Sequence, residues 1–427
     1  MKMNRMNNRI VSLTTVMVLT LSTFAATIET DRTWYLAGEA MTVSVTDCDA
    51  LIAYAELCDM NGLAAGVAFS LKGGAGKGVI ELPSDLHSGY YVLSVYTRHS
   101  TDVSQRLVAV VNPLRRSADD DIEWVAVNHP DTTLQGNLAP NSSFLTPRKA
   151  TGLRETEGHI IMARVKNVCD GHTFKGSQIL PSLAIIGMQV HYFEGKMVND
   201  STAVFYTYGI HGKLPLVLSA VSSTGVSLPI EMISPFATLL PKTLPHLVFH
   251  YKRSEVEARS LDMQRHQMAI APAKRELKMG DLADDAAVEG ELLGYDETVF
   301  GTKPDLSYNL DEYRQFLTVR EVLLEYVNCV GNTKINGIPQ LVVRRDSDPY
   351  DSSWPSMVLI DGMPVVNVER LLNYDGRRIH YINIYGGQYT FGHGVYNGIL
   401  SFVTRSGRLT NYPTEPNMQY LVYDFPE

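Results

Sequence analysis

Cysteine is scarce in this chain. Four in 427 residues, Cys48, Cys58, Cys169 and Cys329, are too few to staple a protein of this length as a disulfide scaffold. Cationic side chains are not in excess either: 37 Lys and Arg stand against 46 Asp and Glu, for a formal charge of −9. They are scattered rather than gathered on one segment, so the electrostatic footprint of a nucleic-acid binder is missing and that partner class is excluded. Past Leu21 no apolar run escapes a charge or turn residue for the ~20 positions a spanning helix needs, so no transmembrane segment is expected in the mature chain.

The sequences that would announce catalysis are also missing. Lys72 to Gly78 superficially suggests a phosphate loop, but no glycine stands five residues before Gly76, and Gly78 takes the place of the magnesium-binding Ser or Thr. Gly392-His393-Gly394 followed by Gly398 misses the dinucleotide spacing by one residue and precedes a strand pattern where a helix is needed. His246 and His250 have the spacing of a helical zinc pair, yet Pro245 and the intervening Leu-Val-Phe favour a strand, on which the rings would lie about 13 Å apart. Asp346, Asp348 and Asp351 begin like a calcium loop, but Tyr350 and Met357 occupy ligand positions. With no nucleophile elbow and no zinc-protease helix, the expectation is a non-enzyme with no catalytic, cofactor-binding or metal residues.

What is present starts with export. Lys2, Arg5 and Arg9 precede an apolar stretch from Ile10 to Leu21 that ends in small residues, the pattern of a cleaved secretory signal. Thr23 and Ala25 place cleavage after Ala25, with Ala26 as the alternative. No cysteine follows to carry a lipid. Export permits a Cys48–Cys58 bridge; buried free thiols are the alternative.

The remaining chain reads as mainly β and multidomain. Short strands with Asn61-Gly62 and Gly73 to Gly78 as turns predict a β-sandwich over residues 26–113. Residues 114–150, with Pro113 just before and acidic Asp119 to Asp121 within, read as a linker. A second sandwich is expected over 151–260, then a polar linker over 261–307, partly helical at most. A small α+β unit over 308–410 follows, with a tail from 411 to 427. In that unit Thr318 and Glu321 form a capping box, and Val319, Val322, Leu323, Tyr326, Val327 and Val330 share one helical face.

Two families are resembled. Asp31-Arg32-Thr33-Trp34-Tyr35-Leu36-Ala37-Gly38-Glu39, then Tyr54-Ala55-Glu56-Leu57, then Leu82-Pro83 with Ser88-Gly89-Tyr90 resemble the immunoglobulin-like macroglobulin domain of the alpha-macroglobulin family. None of the four cysteines has the thioester setting of that family's covalent traps. Val358-Leu359-Ile360-Asp361-Gly362-Met363-Pro364, Ile379 to Gly387, Phe391-Gly392 and Asn397 to Gly407 resemble, in order and spacing, the plug of TonB-dependent receptors. The motif residues are Asp361, Gly362, Pro364, Gly386, Gly392, Asn397, Gly398 and Gly407; Tyr385-Gly386 and Phe391 depart from the family pattern. The glycines suit tight turns.

Only residues 409–427 follow Arg408, far too few for a membrane barrel. The resemblances therefore imply a non-catalytic cell-envelope protein of a Gram-negative bacterium, periplasmic or held at the outer membrane. Its plug-like unit would dock on an outer-membrane or other envelope protein. The alternative is a split or remnant receptor whose plug enters a barrel encoded elsewhere. Alternation along Ile379 to Tyr385 sends Ile382 and Ile384 to a core and places Tyr381 and Tyr385 on the other face. Together with Tyr389, Phe391 and Tyr396, those two form the expected partner-docking set.

Overall fold

The computed structural model describes residues 26–127, 150, 152–169, 171–270, 294–335, 337–344, 354–391 and 394–427. The signal segment 1–25, Gly392 and the acidic turn at Asp346 to Asp351 lie outside them. The described chain is mostly β.

Eight strands build the first sandwich: β1 (Thr27–Thr30), β2 (Trp34–Leu36), β3 (Ala40–Thr46), β4 (Ile52–Cys58), β5 (Leu63–Ser70), β6 (Gly76–Glu81), β7 (Gly89–Tyr96) and β8 (Val103–Val111). They form a three-stranded sheet, β1-β3-β6, facing a five-stranded one, β2-β8-β7-β4-β5. Period-two alternation drives the packing: Met41, Val43 and Val45 turn inward from β3 while their neighbours face water. They meet Ala53, Ala55 and Leu57 of β4 in one core. The glycine-rich Lys72 to Gly78 segment is the connection by which the chain leaves β5 in one sheet for β6 in the other, with a tight turn bridged from Lys72 to Ala75. Cys48 and Cys58 are buried free thiols, not a bridge.

The second unit departs from the expected sandwich. After β9 (Ile122–Trp124) come β10 (His159–Val165), the small β11 (Val168–Cys169) and β12 (His172–Thr173) hairpin, and β13 (Ile179–Ile185). Then follow β14 (His191–Asn199), β15 (Thr202–Thr207), β16 (Gly212–Ser222) and β17 (Ile230–Ile233). These belong to one antiparallel sheet, whose edges approach as it curls: Met232 of β17 donates its N–H to Gln419 Oε1. Chain from 236 onward returns to the first sandwich. There β18 (Leu247–Phe249) pairs in parallel with β9, and the helix Arg253–Ile270 lies alongside, its Arg259 bound to Glu39 at 2.6 Å and set over the Trp34 ring. Phe249, Leu247 and Val256 share a cluster with Leu36, Val92 and Val111. Neither the first linker nor the far end of the second unit thus falls where composition put it, because short apolar pieces inside polar stretches find a sheet face to cover.

The third unit comprises β19 (Leu306–Asn309), the helix Val319–Tyr326, β20 (Val330–Ile335), β21 (Ile338–Val343), β22 (Met357–Ile360), β23 (Met363–Pro364), the helix Val368–Leu372, β24 (Ile379–Phe391) and β25 (Gly394–Thr404). Its sheet runs β19-β24-β25-β22-β23, with β22 parallel to β25. The Thr318–Glu321 capping box forms, and Val319, Val322 and Leu323 are buried. Residues 411–427 are no tail: β26 (Gln419–Phe425) joins the second unit's sheet beside β16, completing the order β17-β10-β15-β14-β13-β16-β26. The third unit is therefore inserted into the second. The two share a core in which Ala184, Ile186 and Val217 pack with Ile360, Met363 and Leu400.

Candidate functional site

Of the residues singled out in the third unit, Asp361, Gly362 and Gly407 lie on that shared boundary. Asp361, 1% exposed, sits at φ +45°, a left-handed conformation that Asp tolerates better than most residues. Its Oδ1 accepts the Thr404 N–H at 2.7 Å; its Oδ2 accepts the Thr404 hydroxyl at 2.6 Å and the Leu409 N–H at 3.0 Å. Burial pushes the carboxyl pKa up to about 6, against the pull of these three donors. The Asp361 carbonyl accepts the N–H of Gly187 from the second unit at 3.0 Å.

Gly362 follows at φ +77°, where an added Cβ would stand 2.7 Å from the Ile185 carbonyl. At Gly407 the same atom would meet Met188 at 2.6 Å. These two glycines admit the neighbouring unit, a requirement beyond turn geometry. Pro364 pairs with Leu359, Gly386 donates its N–H to Asp305, buried Asn397 is held through its backbone by Ser356 and Pro355, and Gly398 lies under the Tyr385 carbonyl.

The expected docking aromatics do not form a free face. Tyr385 is 1% exposed, and its hydroxyl donates to the Glu297 carbonyl. Tyr381 stacks on Tyr295 at 4.4 Å, Phe391 meets Phe300 at 4.2 Å, and half-buried Tyr389, Phe391 and Tyr396 pack around Val299, Tyr385 and Ile399. Alternation gives the face a side chain takes, not what covers that face; here the chain's own residues 295–300 do. Substituting Tyr385 by Ser is accordingly expected to destabilise the third unit by about 3 kcal/mol or more, measured by urea unfolding.

An apolar surface does stand open one element away. Leu317 is 64% and Leu324 72% exposed. Tyr313, 37% exposed, lies 4.6 Å from the Tyr326 ring, and Phe316 is 5.5 Å from Tyr326, the last two half-buried against the unit's core. Leu324 falls on the helix face opposite the buried positions, and this outward leucine was the available sequence signal.

A polar cluster that motif reading missed joins the first unit to the second. Tyr54 and Glu56 point out of the first sandwich, yet both are fully buried. Glu56 accepts the Tyr96 hydroxyl and the N–H groups of Thr238 and Leu239 at 2.8, 3.0 and 2.6 Å. Tyr54 donates to Glu155 Oε1 at 2.6 Å and accepts from Arg98 at 2.9 Å. Glu155 Oε1 also receives the Ile160 N–H at 2.9 Å and His159 Nδ1 at 3.1 Å, while His159 Nε2 is 2.7 Å from the Tyr423 hydroxyl of β26. Burial raises the Glu155 carboxyl, but His159 and Arg98 outweigh it and hold the pKa below the ordinary value; burial also depresses His159. The sequence signal was outward polar side chains on a strand whose partners lie a hundred or more residues away. Among the described residues no cluster of His, Cys, Asp or Glu is arranged to hold a metal ion.

No protein-family model matches the chain, and no curated protein matches its sequence. Among solved structures it is similar to Escherichia coli alpha-2-macroglobulin activated by porcine elastase, at 11% identity and TM-score 0.18 over 48% of this chain and 19% of that one. A Salmonella alpha-2-macroglobulin mutant is similar at 11% identity and TM-score 0.18, over 51% and 15%. The BSP domain of a biofilm-associated protein is similar at 11% identity and TM-score 0.16, over 51% and 30%. The match thus spans less than a third of each of these chains.

Proposed function

We propose that this chain is a non-catalytic exported cell-envelope protein, a binding or assembly component whose plug-like third unit docks on an outer-membrane protein. The observation that carries the reading is the exposure of Leu317 at 64%, Leu324 at 72% and Tyr313 at 37% on the third unit, since large apolar side chains left in water and aromatics among them are what interfaces cover. Arg320 is taken up by Glu369 and Asp311 by Arg405; of the other exposed charges on this segment, Glu312, Glu325 and Glu321, the last accepting the Thr318 N–H, outnumber Arg314. The partner surface that fits is apolar with a basic rim.

Insertion into a separate barrel is the weaker reading, because the unit's opposite face shares its core with the second unit and would have to be torn from it. No helix among the described residues is long and apolar enough to cross a membrane. The test is capture from envelope extracts with the mature chain as bait. Leu317→Glu/Leu324→Glu is expected to cut capture at least tenfold while leaving the urea midpoint within about 0.5 kcal/mol of the parent, since both sites are solvent-facing. Capture should also weaken with added salt. Equal capture by the folded double variant would rule this face out.

A further inference from the structure

The two joints of this molecule differ in kind. Between the second and third units runs a continuous apolar core. Between the first sandwich and the rolled sheet no apolar cluster is shared among the described residues: the first sandwich's clusters take in, besides itself, only β9 and the chain from 236 to 263, and the other draws only on the rolled sheet. Among the described residues what bridges them is the Tyr54–Arg98–Glu155–His159–Tyr423 cluster and an edge where β26 meets β5, with a backbone hydrogen bond from Ser70 to Glu427. Beside the cluster a cleft of about 800 Å³ opens, lined by Arg98, Glu155, Arg154, Cys48 and Gly74. Units held by a small polar interface move relative to each other by default; a large apolar one prevents it.

We propose that this joint is an acid-released latch, in which protonation of His159 frees the first sandwich to swing away from the rigid body formed by the other two units. This goes beyond the docking reading and does not depend on it. Among the described residues the charged and titratable groups facing the imidazole are those of the cluster. Tyr54 faces it from β4, Arg98 from beyond β7, Glu155 from the segment ahead of β10, and Tyr423 from β26, with the Phe425 ring closing the side. In the neutral imidazole Nδ1–H donates to Glu155 and Nε2 accepts the Tyr423 hydroxyl proton, so both nitrogens are satisfied. A second proton turns Nε2 into a donor and leaves the Tyr423 hydroxyl proton without its acceptor. It also places two cations, His159 and Arg98, on the single carboxylate of Glu155 in a site where both side chains are at least nine-tenths buried. Opening the joint returns the imidazole to water, which removes that cost.

The sign follows from burial. His159 sits below the ordinary imidazole value of 6.5 when the joint is closed. Closure is therefore fully present above that value and is lost as pH falls. The closing constant drops tenfold per pH unit until the closed-state value is reached. Glu155, also held low, adds in the same direction only below 4.5.

Small-angle scattering of the full chain at pH 7.5 and 5.0 is the test. The parent is expected to expand at pH 5.0, and His159→Asn, which keeps a donor toward Glu155 but cannot titrate, is expected to stay compact at both. A parent that stays compact at pH 5.0, or a variant that expands at the same pH, overturns the latch. Should the variant fail to fold by circular dichroism, the His159 C–H resonance of the parent decides. Titration coincident with the expansion supports the proposal, and an imidazole still neutral when the chain has expanded defeats it.

Discussion

Removing residues 413–427 is expected to prevent the second unit from folding, leaving a chain that is insoluble or lacks a cooperative melting transition. The segment carries β26, which pairs with β16 at seven successive positions from Gly212↔Phe425 to Leu218↔Gln419. Phe425 is 1% exposed and Tyr423 8%, and both lie in the core of the rolled sheet with Leu183, Leu216 and Phe205. Loss of a buried aromatic costs about 3–5 kcal/mol, so two of them already match the ~5–15 kcal/mol by which domains are stable. Exposure of the β16 edge adds an unpaired hydrogen-bonding row that favours aggregation. Far-UV circular dichroism and thermal melting of the truncated chain check this. A soluble product melting cooperatively within about 1 kcal/mol of the parent would show that β26 is dispensable.

The next largest effect is expected at the boundary turn. Asp361→Ala strips the acceptor from two buried backbone N–H groups, of Thr404 and Leu409, and from the Thr404 hydroxyl. Each buried donor left unmade costs about 1–3 kcal/mol, and alanine at φ +45° adds about 1 kcal/mol of backbone strain. A loss of roughly 4 kcal/mol or more follows.

Asp361→Asn keeps the conformation but offers one oxygen for three donors, so it should fall between alanine and the parent. It also tests the titration. The folded carboxyl stands at about 6, above its ordinary 3.8. Its contribution is therefore fully present below 3.8 and is lost as pH rises through about 6. Two units correspond to about 3 kcal/mol. Parent and Asn variant should accordingly differ more at pH 4.5 than at pH 7.5 in urea unfolding of the third unit. A constant gap across that window would refute the assigned cause.

Local chemistry was legible where a pattern has a single physical reading. The Thr318–Glu321 box, the helix face of Val319 and Val322, and the buried pair Ile382 and Ile384 were all present in the one-dimensional pattern, because 3.6- and 2-residue periods map directly onto faces. Tyr385 was misread for the complementary reason. Its face was assigned correctly, but the cover over it, Glu297 and Val299, arrives from chain that reads as polar linker. Likewise Gly362 read as a turn glycine, whereas the carbonyl that excludes a Cβ belongs to Ile185, nearly two hundred residues earlier.

From the order of residues alone it follows that this protein is mainly β, that the Thr318–Glu321 box opens a helix, and that Ile382 and Ile384 leave β24 on the face opposite Tyr381 and Tyr385. Those outcomes rest on interactions within a few residues, where spacing dictates geometry. Folding in three dimensions was needed to show that β26 closes the second unit around an inserted third, that one joint is apolar and the other polar, and that His159 meets Glu155 and Tyr423 at once. Such contacts link segments far apart in the chain, and a residue's type shows that it needs a partner without showing which distant segment supplies it.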